Sequence, residues 1–318
     1  MIYFKFPFQE NLFTIENSQD KNTLQFFSFV GDESINFNGE IKETNHFNEN
    51  EYHLSNNYFS EEIKEENQEE YFQNLEEIIQ IIKDKNLPKL VYSRRKIIPF
   101  NHINIQKSFE NICENYPNAF RYIFQKEGVS WMGAFSEVLG KFNKKSGVFE
   151  TMSLAGTLPI TEDWTKKEIE EQKPVTDFIK SILNKYTSNL AISATYDHIS
   201  GNIKHLRTDF KAQIQLNDLE NIIQELHPTP AVCGIPKDFC KSVIAEHEKY
   251  PRELYAGYIR IETKTEILYF VNLRCSRIFK NAAHIFVGGG ITAQSNLEKE
   301  WQETELKSQV IAKNLVIS

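Results

Sequence analysis

The feature that most constrains this chain is a series of short apolar runs in its second half. HLRTDFKAQIQL (205–216), AGYIRIET (256–263), ILYFVNLRCSRIF (267–279) and HIFVGGGIT (284–292) are rich in β-branched and aromatic residues. A strand's N–H and C=O groups must find a neighbour, so runs of this kind exist only as parts of a sheet. The second and third runs flank 264–266 and predict an antiparallel hairpin, and the fourth reads as a strand running into a glycine turn. KLVYSRRKIIPF (89–100) predicts a further strand.

Helical spacing marks three other segments. From Gln68, Tyr71, Phe72, Leu75, Ile78, Ile79 and Ile82 fall on one stripe of period 3.6, ended by Pro88. A second helix is expected over 166–184, with Val175, Phe178, Ile179 and Ile182 inward, followed by the apolar run LAISATY. A closing helix begins near Glu298, with Trp301, Val310, Ile311 and Leu315 marking its buried side. Residues 1–65 mix short aromatic runs with Asn/Glu-rich stretches and predict short strands and exposed loops. No repeat or long linker divides the chain. The expectation is α+β: a single large domain of antiparallel-rich sheets flanked by helices, with 1–65 a short N-terminal strand and loop region of that same domain.

At 318 residues the chain is long enough for a large core. A net charge of -8 argues against nucleic acid as the main partner but permits a locally positive site for a small anion. No apolar run approaches the roughly 20 residues of a membrane span. The opening MIYFKFPFQE is interrupted by Lys5, Pro7 and Glu10 and does not read as a signal peptide. Cys113, Cys233, Cys240 and Cys275 lack CxxC spacing, and reduced thiols in the cytoplasm are the expectation.

Nine blocks, in order, carry a resemblance: KLVYSR (89–94), GAFSEVL (133–139), SLAGTLP (153–159), EEQKPVTDFI (170–179), HLRT (205–208), LHPTPAVCGIP (226–236), RELYAGYI (252–259), VNLRCSRI (271–278) and GGGITAQSNLEKEWQETELK (288–307). Together they resemble the chorismate-utilising enzymes, a family that includes isochorismate, salicylate, anthranilate and aminodeoxychorismate synthases. The likeness covers roughly residues 86–310, and the region before residue 65 matches no block. It makes 66–318 the expected chorismate-binding catalytic region and implies chorismate as substrate, Mg²⁺ as cofactor and a monomer.

Adding water to chorismate and expelling its 4-hydroxyl calls for a base, an acid and a cation for a carboxylate. Lys89 opens an apolar strand, and burial there disfavours the charged ammonium, the condition for a lysine to act as base. Read without the family, it is a strand-end lysine reaching solvent; the resemblance makes it the lysine that activates water, where ammonia-using members carry glutamine. Glu137 has small and apolar neighbours, and burial keeps a carboxyl protonated. On its residues alone it equally reads as a glutamate flanking a strand; the resemblance makes it the acid, although Phe135 and Ser136 stand where Ser-Pro is usual.

Glu300, Glu303 and Lys307 recur at i, i+3 and i+7 on one helical face, away from Trp301. The resemblance makes Glu171 and Glu303 magnesium ligands, with Glu300 beside them; otherwise they read as solvent-facing glutamates. Arg274, on the predicted strand VNLRCSRI, can grip a carboxylate with two N–H groups, and Arg277 should face the other side. Tyr258 and Lys307 are further candidates for the substrate. Gly156 and Gly288 allow close backbone approach to a ligand. His205, with Thr208 nearby, is assigned a polar positioning role beside the leaving hydroxyl by the resemblance; by default it is a core histidine. Lys89, Ala155 and HLRT together point to the hydrating members. Salicylate synthesis, which adds pyruvate elimination, is the alternative, and a non-catalytic chorismate-binding protein a third.

Overall fold

The computed structural model describes residues 1–48, 52, 54, 64–200 and 203–318. In chain order the elements are β1 (Ile2–Lys5), β2 (Leu12–Phe27), β3 (Ser34–Thr44), α1 (Gln68–Asp84), β4 (Lys89–Pro99), β5 (Ile103–Asn104), α2 (Ile105–Asn115), β6 (Phe120–Lys126), β7 (Val129–Phe135), β8 (Val138–Asn143), β9 (Val148–Pro159) and α3 (Lys166–Leu183). They continue with β10 (Leu190–Ile192), β11 (Tyr196–Ser200), β12 (Ile203–Gln213), α4 (Leu219–Leu226), β13 (Gly234–Ile235), α5 (Lys237–His247), β14 (Tyr258–Glu262), β15 (Glu266–Val271), β16 (Cys275–Ile278), β17 (Ala282–Ile291), α6 (Leu297–Ala312) and β18 (Val316–Ile317). The architecture is α+β, and every strand pair is antiparallel.

Among the described residues, sixteen strands form one sheet, in the order β10-β12-β9-β8-β15-β14-β2-β1-β6-β7-β16-β17-β4-β13, with β11 on β12 and β3 on β2. The expected hairpin forms as β14–β15, Glu262 opposite Ile267. The N-terminal region is more regular than its sequence suggested. β2 is 16 residues long and pairs with β1, β3 and β14, so this segment supplies the middle of the sheet.

That order has a consequence for shape. Five strands lie between β8 and β7, a flat distance of roughly 29 Å at about 4.8 Å per strand. Yet only Ser136 and Glu137 join β7 to β8, a span of at most about 11 Å. The sheet therefore curls back on itself, bringing its β9–β12 side towards its β17–β4 side. Glu137 sits on this seam.

The helices clad the curled sheet. α1 begins with a capping box: the Asn67 side chain accepts from Glu70 N–H at 3.0 Å, and the Glu70 carboxylate accepts from Asn67 N–H at 3.1 Å. It buries Tyr71, Leu75, Ile78, Ile79 and Ile82, and its predicted stripe is seated as expected. α3 buries Val175, Ile179 and Ile182. Of the side predicted to be buried, Ile311 and Leu315 are buried while Trp301 and Val310 are only partly so; α6 also buries Glu300, Thr304 and Ser308, because it lies on the glycines of β17, where small and polar groups fit. Trp301 anchors it from the flank, 5.4 Å from Tyr71 and under the Arg94 guanidinium at 3.8 Å. All four cysteines are free and buried. No described helix is long and apolar enough to cross a membrane.

Candidate active site

A cavity of about 920 Å³, its open mouth included, occupies the seam. Lys89, Glu137, Gly156, His205, Arg274, Gly288, Glu303 and Lys307 all line it. Elements distant in sequence thus converge, and each is held by a local device.

Lys89 is the first residue of β4, where a lysine would ordinarily fray towards water. Two-residue β13 prevents this by pairing Ile235 with Lys89 and Gly234 with Leu90, and Lys89 is only 2% exposed. Gly234 is required there: at φ +119°, a Cβ would stand 2.6 Å from the Lys89 carbonyl.

Glu137, in the β7–β8 link, is buried, and its carbonyl accepts from Val271 N–H at 3.1 Å. Burial pushes its pKa from 4.5 up to about 7, against the opposing pull of Lys89, Arg274 and Lys307. All three cations therefore act on this carboxyl across one space.

His205 sits at a β-bulge. Lys204 pairs with Leu158 and Leu206 with Ala155, so His205 faces both Gly156 and Thr157. Gly156 takes φ +71°, with a would-be Cβ 3.2 Å from Glu168 Cβ, so glycine lets α3 press against the cavity wall. His205 Nδ1 lies 3.0 Å from Gly156 O and 3.1 Å from Thr157 Oγ1. A carbonyl only accepts, so Nδ1 carries the proton and Nε2 keeps a lone pair. Burial and then Arg274 push the ring's pKa down to about 3, so it stays neutral.

Arg274 differs from expectation. It lies in the bend between β15 and β16 at φ +45°, off the strand, and this left-handed residue carries the chain between the two. Arg277, on β16, pairs with Glu253 at 2.7 Å, outside the cavity.

The glycines 288–290 are strand and form no turn: Gly288, Gly289 and Gly290 pair with Ser93, Tyr92 and Val91. Their lack of side chains admits α6. A Cβ on Gly289 would stand 3.3 Å from Glu300 Oε2 and 3.8 Å from Glu303 Oε1, so two carboxylates converge over a bare backbone. Lys307 joins them, 2.6 Å from Glu303 Oε1, and donates to Gly288 O at 2.9 Å. An all-oxygen donor set of this kind suits a hard cation such as Mg²⁺. Glu171 is on α3, but its side chain lies outside the described residues. Among the described residues, no three His, Cys, Asp or Glu side chains gather as a metal site.

Two expected substrate contacts lie off the cavity. Tyr258 is buried in the core, its ring stacked on Phe27 at 4.5 Å and 4.8 Å from His227. Thr208 is 1% exposed and bonds Gln172 Nε2 at 3.1 Å and Thr195 Oγ1 at 2.8 Å. The tyrosine that lines the cavity is Tyr255, stacked on Phe286 and 3.1 Å from a would-be Gly288 Cβ. Both tyrosines occur in RELYAGYI, and only the turn before β14 decides which faces inward. Phe286, Val232 and Leu273, none of them a candidate site residue from the sequence, supply apolar wall.

The sequence matches the family described as chorismate binding enzyme over residues 9–316, so β2 and β3 belong to the match as well. It is 29% identical over 265 residues to isochorismate synthase 2, chloroplastic, of Arabidopsis thaliana, covering 77% of this chain and 47% of that protein. It is 33% identical over 147 residues to isochorismate synthase EntC of Escherichia coli, covering 45% and 37%. The chain thus spans less than half the length of these two relatives in the matched regions. The structure of MenF, the menaquinone-specific isochorismate synthase from Escherichia coli, superposes with a TM-score of 0.80 at 18% identity, over 98% of this chain and 88% of that one. At that identity the superposition speaks for the fold alone. With the family match running through every element that lines the cavity, the chain belongs to the chorismate-binding enzymes.

Proposed function

We propose that the protein is an isochorismate synthase, adding water to C2 of chorismate with loss of the 4-hydroxyl. The observation that carries this reading is Glu137: a buried carboxyl with a pKa near 7, sharing one cavity with Lys89. At neutral pH a large fraction of such a carboxyl holds the proton a departing hydroxyl needs, which an ordinary glutamate does not.

In this reading Lys89 takes a proton from water as its oxygen bonds to C2. The diene electrons shift, the C4–O bond breaks, and Glu137 delivers its proton to the leaving oxygen. Water enters and water leaves, so atoms and charge balance. The neutral His205 accepts a hydrogen bond through Nε2, which suits a substrate hydroxyl. Arg274 and Lys307 offer positive charge to the two substrate carboxylates. Glu303 and Glu300, with Glu171, would hold Mg²⁺, which when bound neutralises a substrate carboxylate. Tyr255 stands in for Tyr258 as the tyrosine on the substrate. We read the enzyme as a cytoplasmic monomer.

The test is product analysis of purified protein with chorismate and Mg²⁺. Isochorismate alone is the expected result. Salicylate with equal pyruvate would make the protein a salicylate synthase. No conversion, with or without ammonia, would leave a binding protein and overturn the proposal.

A further inference from the structure

A second, smaller cavity lies behind the catalytic wall, lined by Lys64, Arg94, Arg95, Lys249 and Arg252, with Glu66 the only carboxylate among the described residues of its lining. It shares Phe286 with the active-site cavity. Most of these cations have counter-ions beyond the lining. Arg252 pairs with Glu248, Lys249 with Glu70 at 3.0 Å, Arg94 with Glu305, and Arg95 with Glu253 at 3.0 Å. Those carboxylates point the cationic groups without occupying the cavity.

Arg95 is the least satisfied in its hydrogen bonding, although Arg94 Nη1 also lacks a hydrogen-bond partner among the described residues. It is 6% exposed, and two of its nitrogens, Nε and Nη1, have no hydrogen-bond partner among the described residues. Its guanidinium lies over Phe286 at 4.7 Å and Tyr250 at 5.3 Å. Ring faces offset part of the desolvation but replace no hydrogen bond. Lys64 adds a cation with no carboxylate within ion-pair distance among the described residues, and its backbone N–H is fixed by Tyr250 Oη at 2.9 Å. A buried guanidinium with free donors, facing a space bounded by four further cations, is built to receive an acceptor.

We propose that this cavity is a binding site for one small oxyanion, a phosphate or a small carboxylate, held by Arg95 and Lys64. Its existence does not rest on the reaction assigned to the larger cavity.

The test is thermal melting of the full chain against inorganic phosphate and, separately, acetate, each at constant ionic strength held with chloride. A saturable rise in Tm is expected with at least one; whichever is tighter names the source. Arg95→Lys keeps the charge but loses the fork, and should weaken the anion about tenfold. Lys64→Ala, an exposed change, should weaken it up to about fivefold. Lys307→Ala, which alters only the larger cavity, should leave the shift intact. The proposal fails if neither anion gives a saturable shift, if both second-cavity variants bind as the parent does, or if Lys307→Ala alone removes the shift.

Discussion

Replacing Glu137 by glutamine removes one ionisation and little else, and its effect on stability must change its weight with pH. In the unfolded chain the carboxyl ionises at 4.5; in the folded protein, at about 7. Below pH 4.5 it is protonated in both states and contributes no pH dependence. Between 4.5 and 7 the unfolded chain gives up the proton while the folded protein keeps it, so stability falls as pH rises. Above 7 the loss is complete. At about 1.4 kcal/mol per pH unit, that gap comes to about 3 kcal/mol. A glutamine side chain cannot ionise, so the variant escapes this loss. The stability difference, variant minus parent, should therefore grow by about 3 kcal/mol between pH 4.5 and 8. In a chain of this size that is roughly 5 °C in Tm. Denaturant titrations of both proteins at half-unit pH steps measure it, and other titrating groups cancel in the difference. Activity should move the opposite way. Turnover by the parent should fall through pH 7, and Glu137→Gln should lose about 10²- to 10⁴-fold below pH 7, the gap narrowing above it as the parent's own acid deprotonates. A stability difference that stays flat from pH 4.5 to 8 would refute the reasoning, because a carboxyl of ordinary acidity is not the proton donor.

Three other perturbations follow from the site. Lys89→Ala should abolish hydration while chorismate still binds, read by calorimetry alongside product assays; retained turnover removes Lys89 as the base. Glu303→Gln should raise the Mg²⁺ concentration needed for half-maximal activity by about tenfold or more, and an unchanged requirement removes it as a ligand. Tyr255→Phe should raise KM several-fold, whereas Tyr258→Phe, whose ring packs on Phe27, should leave KM unchanged and lower Tm slightly; the reverse pattern would restore Tyr258 to the substrate.

The sequence by itself determined most of the parts. The stripe Tyr71–Ile82, the β14–β15 hairpin and the inward face of α3 are local patterns, set by the spacing at which a helix or strand turns its side chains to one side. The acid–base and carboxylate candidates were legible because their blocks recur in a family. What the sequence could not express was direction. Tyr255 and Tyr258 are three residues apart in one block, and the turn before β14 sends one to the cavity and the other to the core. Arg274 reads as a strand residue, yet a left-handed bend turns it into the seam. The glycines 288–290 read as a turn, yet β4 on one edge and α6 above make them a strand over which α6 sets two carboxylates. Each of these outcomes depends on a partner far along the chain. Above all, the two-residue link at Glu137 forces a long sheet to close on itself, and only that closure puts Lys89, Glu137 and His205 round one space and dries the carboxyl enough to hold its proton.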